Sequence, residues 1–320
     1  MKRVDPFLLM ILATVGVAAL LPASGSVATG FSYATSVAIA LLFFLYGARL
    51  STREAVEGLK HWRLHGTVVA ATFVLFPLLG LLIQLIPAAI LPTELKLGLL
   101  FLCCLPSTVQ SSIAFTSVAR GNVPAAICAA SLSNLLGIVL TPLLTGLLLS
   151  AQGGFSARAL LDVALQLLAP FVLGQLLRRW IGDWVARNRN WLKIVDRGSI
   201  LLVVYVAFSE GMTQGIWGRL SLGALAALVG TCVVLLAVVL AITWFVPRRF
   251  TRADRITILF CGSKKSLASG LPMAGVLFSA GQVGLLVLPL MLFHQIQLMA
   301  CAVIAGRLAR QAEEPVAVPA

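Results

Sequence analysis

Apolar segments close to twenty residues long recur from one end of this chain to the other, and that recurrence limits its fold more than any other feature. A bilayer core of about 30 Å takes about 20 residues of helix at about 1.5 Å rise each. The strands of a membrane barrel would instead give alternating segments of about 10 residues. The chain therefore reads as an all-α polytopic membrane protein with the lipid bilayer as its solvent. Composition agrees: 60% of the 320 residues are hydrophobic and 11% charged, against about 25% charged in a soluble domain.

Ten spans are expected, at 7–21, 33–50, 64–86, 94–119, 123–149, 160–181, 199–215, 222–245, 252–280 and 283–307. The first, behind Lys2 and Arg3, has the outline of a signal peptide, but an even count requires that it be kept. With the N-terminus inside, 19 of the 24 Lys and Arg residues fall on the inner side. Only Lys96, Arg158 and Arg219 fall outside, and Lys264 and Lys265 lie within the ninth region. That bias places both termini in the cytoplasm, and the plasma (inner) membrane is the expected location. The spans near the basic run at 178–197 are expected to be joined by a loop. Cytoplasmic positive charge also accounts for the net +13, so nucleic acid is not an expected partner. The tail at 311–320 reads as disordered. The six cysteines all lie in apolar segments without metal spacing, and read as small packing residues.

Two of the ten regions are interrupted. The fourth contains Cys104-Leu105-Pro106-Ser107-Thr108-Val109-Gln110-Ser111-Ser112, where proline removes a backbone donor and frees carbonyls that must face protein, water or an ion. The ninth contains Phe260-Cys261-Gly262-Ser263-Lys264-Lys265-Ser266-Leu267-Ala268-Ser269-Gly270. An ammonium at the bilayer centre costs about 2.5–3.5 kcal/mol, which marks a functional site unless the lysines lie in a loop. In that loop reading the stub at 252–260 is too short to cross, leaving nine crossings or a re-entrant hairpin.

Ten spans divide as five and five, residues 1–150 and 151–310, and an odd number per half inverts one against the other. The interrupted regions are then the fourth element of each half. Matched breaks of this kind point to a transporter's substrate site near the midplane. Lys264, Lys265, Ser263 and Ser266 are candidate substrate- or ion-binding residues from one break; Thr108, Gln110, Ser111 and Ser112 come from the other, with Asn134 from the fifth span. His294 in the tenth span and Glu210 in the seventh are candidates for a proton relay. Hydrogen bonding between helices is the competing role for His294-Gln295-Ile296-Gln297.

The chain resembles the bile acid:sodium symporter superfamily across nearly its whole length, in its divergent branch of bacterial transporters and allied eukaryotic solute carriers. The resemblance rests on Thr72-Phe73-Val74-Leu75-Phe76-Pro77, Cys103 to Ser112, Gly121-Asn122-Val123, Thr141-Pro142 and, most specifically, Gly262 to Ala274. It implies two inverted five-helix repeats that form a panel and a core, two discontinuous helices crossing in the core, and Na⁺-driven uptake of amphipathic organic anions. It also implies departures. Thr72 stands where the family has a Gln ligand, Ala126 and Ala130 replace hydroxyl ligands, and Ser112 replaces an Asn. Cys261 and Lys265 replace a Glu and a Gln.

Sodium coupling is therefore doubtful, because Na⁺ prefers oxygen ligands including carboxylate. Two unit charges at 4 Å repel by about 4 kcal/mol at an effective dielectric of 20. One expectation is that a lysine ammonium occupies the cation position and joins the breaks through Gln110, Ser111 and Ser112. The other is that the lysines and half-helix N-termini hold an anionic substrate. The two are compatible, and H⁺ stays open beside Na⁺ as coupling ion. No cofactor or bound metal is expected; a small organic anion and a second copy of the chain are the candidate partners. With no HExxH motif or intramembrane acid pair, the chain does not read as an enzyme. A non-transporting membrane regulator of ion or solute homeostasis on the same fold is the alternative to a secondary transporter.

Overall fold

The computed structural model describes residues 6–49, 61–150, 157–213, 215, 221–278 and 280–311, and among them every regular element is a helix. In chain order these are α1 (Pro6–Leu20), α2 (Gly25–Arg49), α3 (Trp62–Ile83), α4 (Thr93–Cys104), α5 (Gln110–Val118) and α6 (Val123–Ser150). They continue with α7 (Ala157–Arg187), α8 (Arg189–Thr213), α9 (Leu222–Phe245), α10 (Arg252–Gly262), α11 (Leu267–Leu277) and α12 (Ala280–Gln311).

Five segments are long and apolar enough to cross a membrane alone: Gly25–Ala48, Trp62–Ile83, Val123–Leu149, Leu222–Phe245 and Gln282–Gln311. The protein is thus a polytopic helical membrane protein. The helices α4, α5, α10 and α11 have 12, 9, 11 and 11 residues, each too short to span about 30 Å by itself. The expected loop near the basic run is instead almost wholly helical, since α7 ends at Arg187 and α8 begins at Arg189 around a turn at Asn188. Arg and Lys are strong helix formers, and their stems lie along apolar surface while the charge reaches water. Of the expected tail, Gln311 closes α12 and 312–320 lie outside the described residues.

Local sequence sets the helix ends. Ser221 caps α9 by accepting from the Ala224 amide, and Thr251 caps α10 by accepting from the Asp254 amide while its hydroxyl donates to the Asp254 carboxylate. These are the side-chain acceptors that unpaired N–H groups of a first turn require. Within α3, residues Ala71–Leu75 form a π-helical turn, a widening that disturbs the i→i−4 pairing and is found often at functional sites.

Helices α1, α2, α7 and α8 pack on one another, and the remaining helices gather around the two interruptions. Helices α2 and α7 approach each other closely. A Cβ at Gly47 would run into the Phe171 carbonyl, and one at Gly174 into the Phe44 carbonyl, so glycine is what lets the two backbones meet. The gathered helices share a dry core that includes Phe76 edge-on to Phe293, with centroids 6.1 Å apart, and Phe101 edge-on to Phe278, 5.2 Å apart.

Candidate functional site

The chain stops being helical at 105–109, between α4 and α5, and again at 263–266, between α10 and α11. The two interruptions touch. The Ser266 amide donates to the Pro106 carbonyl at 2.9 Å, and the Ser107 hydroxyl donates to the Cys261 carbonyl at 2.5 Å. Ser112 donates to the Phe260 carbonyl at 3.0 Å. The last carbonyls of a helix have no partner of their own, so two of those of α10 are capped by hydroxyls from the other interruption and the first turn of α5.

Lys265 does the same for α4. Its Nζ donates to the carbonyls of Cys103 at 2.8 Å and Leu105 at 2.7 Å, and to that of Thr72 in the π-turn of α3 at 2.8 Å. It also stands 4.1 Å from the centroid of the Phe76 ring. An ammonium has three donors, and here all three are used although the side chain is fully buried. The carbonyl of Cys104, the last residue of α4, accepts from Thr141 Oγ1 at 2.8 Å. A positive charge at a helix C-terminus is favoured by the helix dipole. Main-chain carbonyls, not Gln110, Ser111 or Ser112, are thus what the ammonium joins.

Lys264 points elsewhere. Its Nζ lies 3.9 Å from the centroid of Phe115 and 5.5 Å from that of Phe260. It is also fully buried, and it has no hydrogen-bond acceptor among the described residues. Adjacent lysines, both withdrawn from water, therefore differ in their acceptors: three carbonyl oxygens beside an aromatic face for one, aromatic faces without an acceptor among the described residues for the other.

Most of the residues expected from sequence meet here. Thr108 Oγ1 lies 2.7 Å from Ser111 Oγ and 3.0 Å from Ser112 Oγ. Asn134 Nδ2 donates to the Ser107 carbonyl at 2.8 Å, and its Oδ1 accepts from Ser269 at 2.9 Å. Ser266 caps α11 by accepting from the Ser269 amide. Ser263 turns back to the Leu259 carbonyl, and Thr72 turns its hydroxyl back to the Val68 carbonyl, so Thr72 serves through its backbone. Gln110 opens α5 and is exposed; the N-cap Val109 gives that first turn no side-chain cap. His294 Nδ1 lies 2.9 Å from Gln297 Nε2, which donates to the Lys265 carbonyl. Glu210 lies one turn before the end of α8, where its carbonyl accepts from Thr213, away from the two interruptions.

Sequence reasoning passed over Ser107, Ser133, Ser269, Thr141 and Gln297 as site residues. Ser133 accepts from the Ser107 amide at 3.0 Å, and Gln297 is bonded to both sides of the Lys265 backbone. Ser107 and Ser269 lay inside the two interrupted runs, and Gln297 lies one turn from His294 on the same helix face. None of the six cysteines forms a disulfide, and among the described residues no cluster of His, Cys, Asp and Glu could hold a metal.

Residues 5–310 match the SBF-like CPA transporter family. A protein of Pseudomonas aeruginosa named "Uncharacterized protein PA2026" is 56% identical over 317 residues, 98% of this chain and 95% of that protein. One of Escherichia coli named "Putative symporter YfeH" is 52% identical over 316 residues, with the same shares covered. The mouse "Sodium/bile acid cotransporter 7" is 30% identical over 269 residues, 82% of this chain and 79% of its own.

Proposed function

The chain belongs to the SBF-like CPA transporter family, and from that premise we propose that it is a secondary transporter of small organic anions in which Lys265 stands permanently in the place of a coupling cation. The observation that carries this reading is the Lys265 ammonium, matched by three backbone carbonyls drawn from α3 and the end of α4. Oxygen ligands of this sort suit a hard cation, and a tethered ammonium among them leaves a second positive charge about 4 kcal/mol of repulsion at close range. Transport then owes nothing to a sodium gradient; H⁺ remains the candidate coupling ion.

The anion preference rests on the uncapped, exposed start of α5 at Gln110. Free N–H groups and the positive end of the helix dipole favour an anion there. In this reading α4 with α5 and α10 with α11 each make one broken crossing. Ten crossings follow, arranged as inverted halves 1–150 and 151–310, with both termini cytoplasmic in the inner membrane. Alternating access moves the substrate past the point where the breaks meet.

Purified protein in lipid nanodiscs tests the coupling directly. Its thermal stability is expected to be the same in Na⁺ and in choline at equal ionic strength, while a screen of anionic metabolites yields ligands that raise it. Saturable stabilisation by Na⁺ alone would overturn the tethered-cation reading. Ligands that bind but give no flux in proteoliposomes would favour the regulator over the transporter.

A further inference from the structure

Gln297 on α12 is fully buried, and its carboxamide closes on the backbone of Lys265 from both sides. Oε1 accepts from the Lys265 amide at 2.9 Å, and Nε2 donates to the Lys265 carbonyl at 2.9 Å. A peptide N–H only donates and a peptide carbonyl only accepts, so the amide has one workable orientation. Its Nε2 carries a second hydrogen, and His294 Nδ1 lies 2.9 Å away. An amide nitrogen offers no lone pair, so Nδ1 must accept. A neutral imidazole that accepts at Nδ1 carries its proton on Nε2.

We infer that His294 is a positioning residue for Lys265: as the neutral Nε2–H tautomer it takes the second hydrogen of the Gln297 amide and so keeps that amide clamped across the Lys265 peptide. The arrangement has a counterpart at the other break, where the carboxamide of Asn134 is fixed between the Ser107 carbonyl and the Ser269 hydroxyl. Each interruption is thus held by one carboxamide from the long helix beside it. A proton on Nδ1 would set N–H against NH₂, so a relay through that nitrogen requires Gln297 to let go of Lys265. The importance of the clamp for transport rests on the reading of Lys265 as tethered cation, whereas the tautomer follows from the hydrogen bonds alone.

The chain has only three histidines, which makes the tautomer measurable. Protein with His61→Gln and His65→Gln, purified without a histidine tag, labelled with ¹⁵N-histidine and held in lipid nanodiscs, reports on His294 by itself. At neutral pH the spectrum is expected to show a bare Nδ1 and a protonated Nε2, with the Nδ1 signal moving when Gln297 is changed to Leu. An imidazolium, or a proton on Nδ1, overturns the assignment, and no substitution at 294 is needed to see it.

Hydrogen exchange of the segment 263–270 tests the positioning role. Its amides should exchange at least about tenfold faster in His294→Leu, one factor of ten corresponding to about 1.4 kcal/mol. Protection should return in His294→Asn, whose side-chain oxygen can take the place of Nδ1. Unchanged exchange in His294→Leu overturns the positioning role. Sodium-dependent stabilisation of the wild-type protein would overturn the tethered cation while leaving the tautomer untouched, so the two failures are told apart.

Discussion

The Lys265 ammonium and the Leu105 carbonyl oxygen lie 2.7 Å apart across 160 residues of sequence. That contact ties the start of α11 to the end of α4, and the Cys103 and Thr72 carbonyls complete it. Lys264, one residue earlier, lies over the rings of Phe115 and Phe260 and has no hydrogen-bond acceptor among the described residues. The contrast makes the two lysines separable by experiment.

Replacing Lys265 with Met leaves three carbonyls without a donor in a site that water does not reach. Each dry carbonyl costs about 1–3 kcal/mol, so unfolding in detergent should shift by at least about 3 kcal/mol. Lys264→Met removes a buried charge that has no acceptor among the described residues and should be neutral or stabilising. Equal losses for the two variants would contradict the asymmetry.

The hydroxyls of Ser107 and Ser112 cap the Cys261 and Phe260 carbonyls of α10. Ser107→Ala and Ser112→Ala should each lower stability by about 1–3 kcal/mol. Thermal unfolding of the single and double variants measures this, and a double-mutant cycle gives the coupling between them.

Sodium binding should be recoverable by reversing two residues together. Lys265→Gln removes the tethered charge, but the site still has no carboxylate to favour Na⁺. The Lys265→Gln, Cys261→Glu variant supplies one. Calorimetric titration with Na⁺ should show saturable binding in the double variant and none in the wild type or in Lys265→Gln.

Gln110 is exposed at the uncapped start of α5. Gln110→Ala should leave stability within about 0.5 kcal/mol. A hydrogen bond to a charged ligand contributes about 1.5–3 kcal/mol, so the affinity for an anion found by thermal-shift screening should fall about tenfold or more.

Much of the site was legible before any coordinates. Pro106 cannot continue a helix ladder, and the run from Gly262 to Ser266 is poor at doing so, so both interruptions fell where the residues said they would. The hydroxyls of Thr108, Ser111 and Ser112, and Asn134, could be named because polar side chains near mid-depth need partners. Which partners was another matter. The acceptors of Lys265 are main-chain carbonyls, and every residue has one; nothing in the letters at 72, 103 or 105 says that theirs lack an internal bond. The helical course through 178–197 was hidden for a different reason, since a basic cytoplasmic loop and a basic helix end have the same composition.

By itself, then, the sequence determined that this protein lives in a membrane as helices, where those helices fail, and that two lysines must be accommodated at one failure. Burial in lipid makes those conclusions local: each follows from hydropathy, proline and charge over a few residues. Only the tertiary structure decided that Lys265 is satisfied while Lys264 has no acceptor among the described residues, and that Gln297 spans the Lys265 backbone with His294 against its amide. Those outcomes depend on which carbonyls, rings and amides arrive from segments more than a hundred residues away or from a neighbouring helix. Packing fixes that, and no window of sequence contains it.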